Sequence, residues 1–127
     1  MEKIVLDTNF VMIPAEFGID VFKEIRNCLD CQYKLFIVDK TIKELEKILE
    51  KGKGKEKSSA KLALDLIKAK ALNIIPMESP EYTDRLLLDL GEKGYIIATQ
   101  DKELKRKLKE KGAKVLTLRQ KRTVIFG

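Results

Sequence analysis

Five short runs in this chain are continuously apolar and rich in β-formers: "IVL" at 4–6, "LFIV" at 35–38, "NII" at 73–75, "YIIA" at 95–98 and "VLTL" at 115–118. A strand with one face in water alternates apolar and polar residues, whereas a strand covered on both faces does not. The segments between the runs have helical spacing. Val21, Phe22, Ile25, Cys28 and Leu29 form one apolar stripe, Ile42, Leu45, Ile48 and Leu49 a second, and Leu104 with Leu108 a sparser third. Strands that alternate with helices and are buried on both faces predict an α/β fold, a three-layer α/β/α sandwich around a central parallel sheet. At 127 residues the chain suits one domain, spanning 1–127.

Local signals agree with this reading. Ser79 before Pro80 has the form of a helix N-cap and first turn, and Gly94 and Gly112 stand just past two helix ends. The stretch between the second and third strands has room for two helices. Its segment 51–59, "KGKGKEKSS", carries glycines and like charges and is expected to be an exposed loop joining them.

Composition narrows the chemistry. Charged residues make up 36% of the chain, the net charge is +6 and the pI is about 9.3, which suits a polyanionic partner and equally a solvated lysine-rich surface. No apolar stretch is long enough to cross a bilayer and no signal-type segment opens the chain, so a cytoplasmic protein is the expectation. Histidine is absent. Cys28 and Cys31 form a single "CLDC" pair, which cannot by itself close a four-coordinate zinc site, and Cys28 fits the apolar stripe of its helix.

Acids follow four of the apolar runs: Asp7 after the first, Glu44 in "DKTIKE" after the second, Asp84 in "MESPEYTD" after the third and Asp101 in "TQD" after the fourth. In an open parallel sheet the carboxyl ends of the strands lie along one edge, where ligands bind. Each acid also has a structural explanation. Asp7 and Asp101 could cap the next helix, "TIKE" at 41–44 has the form of a capping box, and Asp84 could sit on a solvated helix face. Capping does not require all four acids at one edge, and a cluster of like charges is unfavourable unless a cation offsets it. With oxygen donors and no histidine, that cation would be Mg²⁺ or Mn²⁺, which make water a better nucleophile and neutralise charge on a phosphate under attack.

On these residues the chain resembles the PIN-domain ribonucleases over nearly its whole length. "VLDTN" is similar to the opening motif of that family, and "ATQD" followed by "KELKRKLKEKG" is similar to its archaeal and eukaryotic branch associated with ribosomal RNA processing. Toxin PIN domains are similar as well. The resemblance implies metal-dependent cleavage of single-stranded RNA, with Asp7, Glu44, Asp84 and Asp101 as catalytic and metal-binding acids and Thr8, Asn9 and Thr99 as supports for ligands or phosphate. It also implies a homodimer, and an antitoxin or ribosome-assembly partner according to role. Arg85 stands where many members carry a further acid.

Basic residues near the acids then acquire a task. Lys102, Lys105, Arg106, Lys107 and Lys109 follow Asp101, and Arg119, Lys121 and Arg122 follow the last run; of these, Lys102, Lys105, Arg106, Arg119 and Arg122 are the expected RNA contacts. Competing readings are a toxin ribonuclease, a non-catalytic RNA-binding or assembly module whose acids are only caps, and a phosphatase. The phosphatase is disfavoured because Asn9 replaces the second Asp such a site needs.

Overall fold

The computed structural model describes residues 1–76 and 83–127. The expected Ser79–Pro80 helix start lies outside them. The first four strands are β1 (Glu2–Leu6), β2 (Tyr33–Val38), β3 (Asn73–Ile75) and β4 (Ile96–Ala98). Two more, β5 (Val115–Arg119) and β6 (Thr123–Phe126), complete one sheet of order β3-β2-β1-β4-β5-β6. Its pairs are parallel from β3 through β5, and β6 adds to β5 antiparallel, with Leu116 opposite Phe126.

Helices cover both faces, and side-chain alternation along each strand divides the core in two. Ile4, Leu6, Ile37, Ile96, Ala98, Leu116 and Leu118 point to one face. There they meet α1 (Thr8–Val11), α2 (Ile13–Phe17), α3 (Val21–Cys28), α4 (Asp39–Lys51) and α5 (Lys55–Ala69), through Phe10, Ile13, Val21, Ile25, Leu45 and Ala63. Val5, Val38, Ile97 and Val115 point the other way, to Leu87 and Leu90 of α6 (Thr83–Glu92) and Leu104 and Leu108 of α7 (Lys102–Glu110). The three-layer α/β/α sandwich is therefore present, with a mixed rather than wholly parallel sheet. No helix among the described residues is long and apolar enough to cross a membrane.

Two local features differ from expectation. Segment 51–59 is mostly helix: α4 runs to Lys51 and α5 begins at Lys55, leaving Gly52, Lys53 and Gly54 as the connection. Gly54 turns the chain at φ +60, and Lys55 and Lys57, which read as loop, instead lie in the solvated first turn of α5. Strand β6 follows a tight turn through Gln120 and Lys121, at φ 53 and 52. Positive φ in ordinary side chains is uncommon, so "RQKR" carries none of the Asn-Gly signal that marks most such turns.

Close packing of α6 on α7 depends on Gly91. A Cβ there would lie 2.7 Å from Leu108 Cδ2 and 3.1 Å from Ala113 Cβ. The leucine end can rotate away, but Ala113 Cβ is fixed to the backbone. Gly91→Ala is expected to lower stability by roughly 1–3 kcal/mol through overpacking, read as a shift of the urea midpoint at unchanged slope.

Candidate active site

The sheet order reverses direction between β1 and β4, and a crevice opens beyond their carboxyl ends, where α/β sheets bind ligands. Asp7 is the first residue past β1 and Thr99 the first past β4. Their backbones are still paired there, Asp7 N donating to Ala98 O at 2.9 Å. The crevice is an open cleft of about 970 Å³, and Asp7, Glu44, Asp84 and Asp101 all line it, with Thr8 and Asn9.

Asp7 is 8% exposed and held on both oxygens. Oδ1 accepts from Thr8 N at 2.8 Å; Oδ2 accepts from Thr99 Oγ1 at 2.8 Å and from Asn9 Nδ2 at 3.1 Å. Burial, reinforced by the negative charges of Asp84 and Asp101, pushes its carboxyl above the ordinary aspartate range, against the opposing pull of the Thr99 and Thr8 hydrogen bonds. Such a group fixes a negative charge in position at a cost that a neighbouring cation would offset.

Asp101 is the N-cap of α7, as one of its structural readings expected. Oδ1 accepts from Glu103 N at 2.9 Å and Leu104 N at 3.1 Å. The cap occupies one oxygen. Oδ2 makes no hydrogen bond to a described residue, so capping α7 and facing the cleft are compatible tasks for the same side chain.

Glu44 has no capping task. Helix α4 starts at Asp39, with Val38 at its N-cap, so Thr41 and Glu44 lie inside the helix and not at its start. Thr41 is fully buried, and Thr8 Oγ1 sits 3.0 Å from its hydroxyl and 3.2 Å from Glu44 Oε2. The capping-box pattern misleads because the helix starts three residues earlier than a Thr41 cap would place it. Asp84, exposed in the first turn of α6, completes the set from the opposite layer.

Sequence reasoning missed the device that holds the β4–α7 loop. Gln100 N donates to Asn9 Oδ1 at 3.1 Å, while Gln100 Oε1 accepts from Leu118 N at 2.7 Å and Thr117 Oγ1 at 2.9 Å. The side chain thus continues β4's pairing with β5 past the strand's end, and Asn9 locks the loop to the residues after β1. Thr99 Oγ1 also accepts from Asp101 N at 3.2 Å, so one buried hydroxyl ties two acids together. Only the adjacency of "TQD" to an apolar run hinted at this.

The expected RNA contacts lie elsewhere. None of Lys102, Lys105, Arg106, Arg119 and Arg122 lines the cleft. Lys105 Nζ donates to Thr117 Oγ1 at 3.1 Å, and burial followed by the neighbouring Lys109 and Lys102 charges lowers its pKa. Arg106 is held on the outer face of α7 by Glu103 and Glu110. Among the described residues the cations that do line the cleft are Lys40, Arg85 and Lys107.

Among the described residues no three acidic side chains converge tightly enough to hold a metal ion unaided. The donor set is nonetheless all oxygen, placed in an open cleft, which suits a hard ion that keeps part of its hydration shell.

Comparison with known proteins agrees with this fold. A family model described as a PIN like domain matches residues 4–121. The chain belongs to the PIN-like domain family. Among its PIN relatives, Ribonuclease VapC4 of Methanocaldococcus jannaschii is 36% identical, covering 100% of this chain and 98% of that protein. Ribonuclease VapC9 of Archaeoglobus fulgidus is 34% identical, over 94% of this chain and 85% of that protein. The PIN domain endonuclease Utp24 superposes with a TM-score of 0.79 at 25% identity, over 98% of this chain and 90% of that one. This PIN fold brings to one cleft the four acids that its sequence scatters over 95 positions, from Asp7 to Asp101.

Proposed function

We propose that this PIN protein is an endoribonuclease that hydrolyses single-stranded RNA with Mg²⁺ or Mn²⁺. The observation that carries the reading is the meeting, in the cleft at the β1/β4 switch point, of acids that follow four different strands. Asp7, Glu44, Asp84 and Asp101 would hold the ion or ions, with water completing the coordination. When bound, the metal supplies positive charge to a phosphate under attack and makes water a better nucleophile. The chain's own part is preorganisation. Thr99 and Asn9 fix the Asp7 carboxylate, Thr8 orients Glu44, and Gln100 keeps the Asp101 loop against β5.

A toxin-type role is the better supported of the two biological readings, because both relatives that match nearly end to end are named VapC ribonucleases. An antitoxin that covers the cleft would be its partner. The processing reading, for ribosomal RNA, draws on the closing "ATQD" motif. Cleavage of an unstructured RNA in Mg²⁺, Mn²⁺ or EDTA tests the chemistry common to both. The expected result is cleavage in either metal, none in EDTA, and products with 5′-phosphate and 3′-hydroxyl ends. Cyclic phosphate ends, or cleavage undiminished in EDTA, would contradict it.

A further inference from the structure

The cleft poses an electrostatic problem for its proposed substrate. Among the described residues its lining carries five carboxylates, Asp7, Glu16, Glu44, Asp84 and Asp101, against the three cations Lys40, Arg85 and Lys107, a formal charge of −2. Without those cations these residues would total −5, and one divalent ion would leave them at −3, a surface that repels a polyanion. RNA can enter only if positive charge stands beside the acids.

Arg85 and Lys107 are the groups placed to supply it. Arg85 adjoins Asp84 in the first turn of α6. Lys107 lies on α7, which packs against α6. At 3.6 residues per turn, Lys105 and Lys107 flank the buried Leu104–Leu108 stripe on opposite sides. Lys105 falls on the β5 side and is used by Thr117, whereas Lys107 falls on the cleft side. Both Arg85 and Lys107 are exposed, and neither forms a salt bridge with a described residue. By contrast, Arg106 is spent on Glu103 and Glu110, and Lys40 is already engaged within the fold.

We infer that Arg85 and Lys107 form a phosphate subsite on the α6–α7 wall of the cleft, which holds the RNA backbone next to the acids. This rests on the ribonuclease reading above. A guanidinium presents a fork that matches phosphate oxygens two at a time, while an ammonium acts as a point charge. Arg85 therefore sets where the backbone sits, and Lys107 adds attraction. The subsite reads phosphates and not bases, so its loss weakens all sequences alike.

The test combines two measurements on the full chain. In steady-state cleavage of an unstructured RNA, Arg85→Gln and Lys107→Gln should each raise KM roughly tenfold, the lower end of what a charge-assisted hydrogen bond contributes, with kcat changed less. In an Asp7→Asn background, anisotropy of a labelled RNA oligonucleotide gives affinity against salt. Each further substitution should reduce the slope of log affinity on log salt by about 0.7, the value for one phosphate contact on a single strand. Arg85→Lys should keep the slope and lose part of the affinity. Unchanged KM and slope in both glutamine variants, or a loss as large in Arg106→Gln, would overturn the subsite while leaving the ribonuclease reading intact. If the wild type cleaves no RNA yet the slopes fall as stated, the subsite stands as a binding site and the cleavage reading fails.

Discussion

Asp7→Asn is expected to abolish RNA cleavage while leaving a folded protein. Asparagine keeps the shape and an oxygen for Thr8 N, but it removes the one buried charge among the four acids. Loss of a partner that only orients a metal ligand costs about 10–100-fold; loss of Asp7, as a proposed ligand, should exceed that in kcat/KM. Metal-free stability should move the other way. Because burial and the other acids raise the folded-state pKa of Asp7, its neutral form favours folding. That contribution is fully present below the unfolded value near 3.8 and is lost as pH rises through the raised folded value. Wild type should therefore lose Tm relative to Asp7→Asn as pH increases from about 3.5 towards neutrality, as scanning calorimetry in EDTA would read. Wild-type cleavage by the variant in Mn²⁺ would refute the assignment.

Asp101→Asn separates the two tasks of Asp101. Asparagine is as good an N-cap as aspartate, so the bonds to Glu103 N and Leu104 N should survive and stability should change by less than about 0.5 kcal/mol. What disappears is the charge at Oδ2, the oxygen left over by the cap. If that charge helps to hold the metal, cleavage falls at least tenfold while Tm barely moves. If the acids were caps and nothing more, both would stay put. Asp101→Ala would lose cap and charge together and so could not distinguish the two.

Most of the fold was legible because burial on both faces of the sheet imposes a pattern on the strands themselves. The five apolar runs are β1 to β5, and the three helical stripes are α3, α4 and α7. Strand β6 was not legible, since its turn uses Gln120 and Lys121 at positive φ and "TVIF" is too short to announce itself. The first turn of α5 was hidden for the opposite reason: a solvated helix start rich in lysine looks like a loop when no apolar residue marks its inner face.

The acids were legible through position, because a parallel sheet sends every strand end to one edge, and the cleft lining agrees for all four. The basic residues were not, because sequence shows how many cations a helix carries but not what they touch. The bonds of Lys105 to Thr117 and of Arg106 to Glu103 and Glu110 are contacts that a count of cations does not reveal. Gln100 was invisible in the same way, since its task depends on Leu118 and Asn9, residues distant in the chain.

The central claim is that the four acids make one metal site. Calorimetric titration of Mn²⁺ into the wild type and into Asp7→Asn, Glu44→Gln, Asp84→Asn and Asp101→Asn tests it most directly. A shared site predicts specific binding by the wild type and a weakening of about tenfold or more in every variant. Absence of specific binding by the wild type, or variants that bind as it does, would contradict it.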